Sequence, residues 1–241
     1  MNIYEKMLGI KRYTDSVGTI YGTEDFSIYL YSLIKMSKPK KIVELGTGLG
    51  CVMLWSALAL EENKEGVVYT VDNGSDWSHL KQAKGSMGSM FHEQYSEYVN
   101  NLIDNFNLTS YIKFINSDIA ISDLPNDIDI LFSDFSHGPL QVLSLINQIL
   151  PKLSDSSILM FDSASTYYPS YLALKDAVNM LNNKQIPYSF QNSETLMKKV
   201  NTCSFELRHI IENKCRDQNS TACIHIQPRD IFPCPLNHMR C

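Results

Sequence analysis

No apolar run in the 241-residue chain approaches the roughly 20 residues that a bilayer span requires, so a helical membrane protein is not expected. Nor is there a cationic stripe. Lys and Arg number 21 against 26 Asp and Glu, for a net charge of -5, and the densest basic clusters are Lys38-Pro39-Lys40-Lys41 and Lys198-Lys199. Nucleic acid is therefore a poor fit as the main partner. Met1 to Lys11 lacks the continuous apolar stretch and small-residue cleavage site of a secretory signal, which leads to the expectation of a cytoplasmic protein with reduced thiols. Internal repeats and low-complexity segments are missing as well. Although Cys203, Cys215, Cys223, Cys234 and Cys241 gather near the C-terminus, with His225 and His238 among them, no C-x-x-C pair occurs. Cys223 and His225 would face one side of a strand, but no second ligand pair joins them, so thiols without zinc are expected.

What is present is an alternation of strands and helices. Phe26 to Lys35 has helical spacing and stops at Pro39. Strands are expected at Lys41–Leu45, Val67–Val71, Tyr111–Ile115, Ile128–Phe132 and Ser157–Phe161, with helices at Cys51–Leu60, Phe91–Phe106, Leu140–Leu150 and Tyr171–Leu181. The partial alternation in Ser204–Ile211 and Thr221–Ile226 suggests an antiparallel hairpin. The pattern implies an α/β fold: a doubly wound, mostly parallel seven-stranded sheet with helices on both faces and the hairpin at its edge. Residues 1–241 read as a single domain, in which 1–23 forms an N-terminal cap and 73–90, with Gly74, Gly85, Gly88, Trp77, Met87 and Met90, a candidate lid.

The chemistry-bearing residues stand at strand ends. Glu44-Leu45-Gly46-Thr47-Gly48-Leu49-Gly50 turns the first strand into a helix, where glycines permit close backbone approach to a ligand. The spacing is not that of a dinucleotide loop: counted from Gly46, the sixth position is Cys51 rather than glycine. No G-x-x-x-x-G-K-[ST] phosphate loop occurs either. Asp72 closes the second strand about 20 residues further on, where a doubly wound fold puts the carboxylate that accepts from ribose hydroxyls; an Asp there also forms turns. Asp118 follows the third strand, where it could equally cap a helix. Beyond the fourth strand, Asp134 and His137 lie three residues apart in Ser133-Asp134-Phe135-Ser136-His137-Gly138. His137 can act as general base beside a carboxylate, or can cap the next helix.

The acidic residue followed by G-x-G-x-G resembles motif I of the class I, Rossmann-like S-adenosylmethionine-dependent methyltransferases, and by order of elements the resemblance runs from about Glu24 to Ile226. The closest style is that of small-molecule O-methyltransferases, whose Asp-x-x-His or Asp-x-x-Lys turn the 134–137 segment resembles. The resemblance implies S-adenosylmethionine as cofactor, bound by Glu44, Gly46, Thr47, Gly48, Asp72, Asn73, Asp118, Ile119 and Asp134. It implies Asp72 for the ribose and Asp118 with Ile119 for the adenine, with Asp134 and His137 as the catalytic pair. Metal-dependent members carry an Asp after strand four and an Asp-Asn pair after strand five; Asp134 and Asp162 match, whereas Ser163 replaces the Asn, so no metal is expected. The expected activity is methyl transfer to a small molecule, with a homodimer among the expected assemblies. Two other readings stay open: an S-adenosylmethionine-consuming cyclase of the azetidine-2-carboxylate synthase type, and a cofactor-binding protein without catalysis.

Overall fold

The computed structural model describes residues 1–17, 24–83, 94–118, 120–135, 137–164, 167–191, 193–211 and 220–229. Among the described residues two compact units are distinguished: Met1–Leu124 with Leu131–Phe135, and Pro125–Ile130 with the described parts of 136–211 and 220–229. Among the described residues, seven strands form one sheet in the order β3-β2-β1-β4-β5-β7-β6. No helix among them is long and apolar enough to cross a membrane.

The first unit begins with helices α1 (Ile3–Val17) and α2 (Glu24–Ser37), then runs β1 (Lys41–Leu45), α3 (Cys51–Asn63), β2 (Val67–Val71), α4 (Trp77–Ala83), α5 (Tyr95–Asn105) and β3 (Ile112–Ile115). Strands β1, β2 and β3 pair in parallel, with Leu45 opposite Val71 and Val71 opposite Ile115, so their carboxyl ends lie level. Every residue of α3 from Cys51 to Leu60 is buried. A helix apolar all round must be covered on all sides, and α3 packs on α1, α2 and β2.

Helix α1 adds a buried cation to this packing. Lys6, only 3% exposed, pairs with Glu61 of α3 at 2.5 Å and donates to the Asn107 carbonyl at 3.0 Å. Ile10, Tyr13, Thr14 and Val17 complete the buried face of α1 at helical spacing. The expected 1–23 cap thus begins with a well-packed helix, while residues 18–23 lie outside the described ones.

The second unit holds α6 (Pro139–Ile149), β5 (Leu153–Asp162), α7 (Tyr168–Asn182), α8 (Glu194–Thr202), β6 (Cys203–Ile211) and β7 (Ser220–Pro228). Strand β4 (Ile128–Ser133) contributes residues to both units. Strand β7 pairs antiparallel with β5 and with β6, which bears out the expected hairpin. Because β7 has neighbours on both edges, Ala222, Cys223, Ile224 and Ile226 are fully enclosed. On edge strand β6 the exposed Glu206 and Arg208 form an ion pair at 2.7 Å.

Three elements exceed the sequence reading. Strand β5 starts at Leu153 rather than Ser157, because its first half is polar. Helix α4 occupies part of the 73–90 segment read as a lid, and residues 84–93 lie outside the described ones. Helix α8 was not expected at all. It is capped by Ser193, whose hydroxyl accepts from the Leu196 amide at 3.2 Å, and its apolar face is interrupted by Lys199. That lysine is 6% exposed; its ammonium donates to the Leu153 carbonyl at 2.5 Å and pairs with Asp155 at 3.0 Å.

Removing one partner of a buried ion pair leaves the other uncompensated. Since Glu61 keeps some contact with water, Lys6→Ala should cost about 3 kcal/mol, the lower end of the usual range. Urea unfolding would show this as a lower midpoint with an unchanged slope.

Candidate active site

The glycine-rich loop is shaped by hydrogen bonds and by a close contact. The Gly46 amide donates to the Val71 carbonyl at 2.9 Å, the Asp134 amide to the Leu45 carbonyl at 2.8 Å, and the Gly50 amide to the Thr47 carbonyl at 2.8 Å. Gly46 has φ +92°, and a Cβ there would stand 2.7 Å from the Asp134 carbonyl oxygen. No other residue type fits that backbone and that distance.

Asp72 organises two loops at once. Its Oδ2 accepts from the Gly48 amide at 3.0 Å and its Oδ1 from the Gly74 amide at 2.7 Å. A carboxylate offers about four acceptor positions; these two bonds leave capacity for the hydroxyls of a nucleoside. Asn73 donates from Nδ2 to Asp118 Oδ1 at 2.6 Å, which joins the ends of β2 and β3, and both residues are exposed. Ile119 lies outside the described residues.

Glu44 and Thr47 sit beneath the loop rather than at its surface, 2% and 4% exposed. The Thr70 hydroxyl donates to Glu44, and the Thr47 and Thr70 hydroxyls are 2.5 Å apart, so one chain of side chains ties β1, β2 and the loop together. Burial pushes the Glu44 carboxyl up to about 8; the Thr70 bond and a Met53 backbone bond oppose the rise, and the nearby Asp72 charge adds to it.

Three tyrosines meet the same loop. Tyr95 donates to the Gly48 carbonyl at 2.8 Å, and Tyr13 and Tyr98 donate to the Leu49 carbonyl at 2.6 and 3.3 Å. Tyr95 and Tyr98 form an i, i+3 aromatic pair on one helix, a spacing that alone reads as core. Trp77, a candidate cover for a ligand, is instead 6% exposed and packs on Tyr95 and Tyr98, with ring centroids 5.4 and 4.7 Å away.

In the second unit, His137 Nδ1 lies 3.0 Å from the Asp162 carbonyl oxygen. A carbonyl only accepts, so Nδ1 carries the proton and Nε2 of the neutral ring keeps its lone pair. The fully buried Ser170 of α7 donates to the His137 carbonyl, a positioning contact the sequence reading missed. Ser163, with φ +55°, donates to Asp162 Oδ2 at 2.7 Å. Ser136 and Ser165 are not among the described residues. Asp134, His137 and Asp162 are each half-buried, and as two carboxylates and an imidazole they are of the chemistry that holds a divalent cation.

The described cysteines offer little to a metal. Cys51, Cys203 and Cys223 are buried and form no disulfide. Burial pushes the Cys223 thiol up to about 12, so it stays protonated in the core. Cys215, Cys234, His238 and Cys241 lie outside the described residues.

The raised Glu44 pKa has a signed consequence. The folded chain holds this proton more tightly than the unfolded chain, whose carboxyl titrates near 4.3. Its stabilising contribution is full below that value and is lost as pH rises through about 8. Between about pH 6 and pH 9, thermal melts should therefore show a larger loss of Tm for the wild-type chain than for Glu44→Gln, which cannot ionise. Equal losses would mean that Glu44 titrates as an ordinary surface carboxylate.

Residues 43–164, about half of the chain, match the family model described as a methyltransferase domain. An O-methyltransferase from Bacillus cereus in complex with SAH superposes with a TM-score of 0.56 at 11% identity, covering 93% of this chain and 90% of that one. A methyltransferase from Geobacter sulfurreducens gives a TM-score of 0.55 at 15% identity over 92% and 89%. The O-methyltransferase TomG from Streptomyces achromogenes, involved in tomaymycin synthesis and in complex with SAM, gives 0.50 at 12% identity over 84% and 80%. No curated protein sequence matches the chain significantly. At these identities the solved structures speak for a shared fold, and the family model, spanning β1 to the end of β5, carries the assignment: the chain belongs to the methyltransferase domain family.

Proposed function

We propose that the chain transfers a methyl group from S-adenosylmethionine to a small molecule in the cytoplasm. The observation that carries this reading is Asp72, held between the amides of Gly48 and Gly74 at the end of β2 with acceptor capacity to spare. A nucleoside laid across the parallel strand ends finds there an acceptor for its ribose hydroxyls. Asp118 supplies an acceptor for an exocyclic amino group. Glu44 and Thr47 hold the loop from beneath, and the loop presents amides without a lysine, as suits a ligand that lacks phosphates.

When bound, the cofactor supplies an electrophilic methyl carbon on a sulfonium. His137 supplies the matching base. Its Nδ1 proton is committed to the Asp162 carbonyl, so Nε2 takes the proton from an acceptor hydroxyl as that oxygen becomes the nucleophile. Asp134, three residues earlier in the sequence, is the carboxylate partner in the proposed catalytic pair. The net charge of -5 and the lack of a basic run in the sequence favour a small acceptor over a nucleic acid.

A divalent cation is a second reading, favoured by the donor chemistry of Asp134, His137 and Asp162. Such an ion would lower the pKa of an acceptor hydroxyl by binding it. Against it, the Ser163 hydroxyl that replaces the family's Asn is already engaged by Asp162. Turnover that survives EDTA fits the base reading, whereas loss on chelation and recovery with Mg2+ or Mn2+ fits the cation.

Mass spectrometry after incubation with S-adenosylmethionine and a metabolite extract tests the proposal. S-adenosylhomocysteine as product supports it. Methylthioadenosine formed by the protein alone points to the cyclase, and tight binding with no turnover to a cofactor-binding role. His137→Ala should lower S-adenosylhomocysteine formation by about 100-fold or more while its affinity for S-adenosylhomocysteine stays within about twofold of wild type. A variant that keeps full turnover would remove His137 from the reaction.

A further inference from the structure

The three buried tyrosines that meet the glycine-rich loop have no part in the chemistry proposed above. Their contacts converge on two successive carbonyls: Tyr95 on Gly48, Tyr13 and Tyr98 on Leu49. With Tyr13 donating to Leu49, the single Tyr98 proton has two acceptors in reach, the Tyr13 oxygen and the Leu49 carbonyl. The two residues that own these carbonyls lie among three glycines with positive φ, at +92°, +51° and +80° for Gly46, Gly48 and Gly50. Such backbone has more conformations open to it than any other, so the loop does not hold one shape by local preference. A peptide plane is rigid and trans, and its N–H points opposite to its C=O. Fixing the Gly48 carbonyl towards Tyr95 therefore aims the Leu49 amide to the other side, and fixing the Leu49 carbonyl keeps the Gly50 amide on the Thr47 carbonyl.

Tyr95 also reaches the second loop. A Cβ on Gly74 would stand 2.7 Å from the Tyr95 ring, so the absence of a side chain at Gly74 admits the ring. Gly48 and Gly74 are the two residues whose amides hold Asp72. Tyr95 touches both and so spaces the pair of loops on which that carboxylate depends. Burial keeps the Tyr95 and Tyr13 hydroxyls protonated by pushing their pKa values up, so both remain donors. Tyr13 stands on α1, far from the loop in sequence and joined to it by this contact and by the packing of α1 on α3.

We propose that Tyr13, Tyr95 and Tyr98 are positioning residues for the cofactor loop, and that docking of α1 is thereby coupled to cofactor binding. The inference rests on the reading of this loop as the S-adenosylmethionine site. A ligand that binds the ordered loop more tightly than a relaxed one must also favour the docked α1, because the coupling is reciprocal.

Calorimetry with S-adenosylhomocysteine on the full chain tests the first half. Tyr95→Phe and the double variant Tyr13→Phe/Tyr98→Phe keep the rings and lose the hydroxyls. Each should bind about fivefold or more weakly, the effect of about one lost neutral hydrogen bond, with an unchanged circular dichroism spectrum. Hydrogen exchange on the wild-type chain tests the second half without any substitution: saturating S-adenosylhomocysteine should slow the amides of α1 as well as those of the loop. Folded variants with wild-type affinity, or α1 amides whose exchange the ligand leaves unaltered, would overturn the proposal. A wild-type chain that binds no S-adenosylhomocysteine would instead overturn the cofactor reading beneath it, a separate failure visible in the first titration.

Discussion

The two amide bonds to Asp72 are the constraint on which the site depends. One carboxylate at the end of β2 takes an N–H from the loop after β1 and another from its own following loop, so the two loops are set relative to each other by these bonds as well as by the packing of Tyr95. Charge-assisted bonds to backbone amides are stronger than neutral ones. Everything nearby supports that carboxylate. The close approach of Gly46 to the Asp134 carbonyl fixes where the loop leaves β1, the Glu44, Thr70 and Thr47 side chains brace it from below, and the aromatic pack closes it from above.

In the second unit the organising contact is neutral and concerns one ring. His137 is oriented by a backbone carbonyl at the end of β5 and by a serine on α7 that holds its own carbonyl. Both contacts involve backbone carbonyls, so the tautomer follows from the fold. Orientation of this kind suits a group that must present one nitrogen in a fixed direction.

The strand order and the residues at the strand ends were legible in the sequence because both follow from simple rules. Buried parallel strands read as short apolar runs, and Asp72, Asp118 and Asp134 each follow such a run directly. The C-terminal hairpin was legible through its alternation. The missed elements have physical reasons. Helix α8 hides its core face behind Lys199, whose charge is met by Asp155 and a carbonyl that no local pattern shows. The first half of β5 is a run of serines and an aspartate. The role of Glu44 was read from its place in the motif as contact with the cofactor; burial puts it behind the loop, because a strand residue next to the turn points into the layer between sheet and helix. The tyrosines that meet the loop come from α1 and α5, and no spacing rule links positions so far apart.

The edges of the sheet carry a consequence of their own. At one end, β3 presents Lys113, whose ammonium lies over the Tyr69 ring at 5.0 Å; at the other, β6 presents the exposed pair of Glu206 and Arg208. Charged side chains on outer strands discourage another chain from adding a strand there. The protein thus carries at both margins of its sheet a built-in resistance to runaway polymerisation, and self-association by strand addition is opposed at either border.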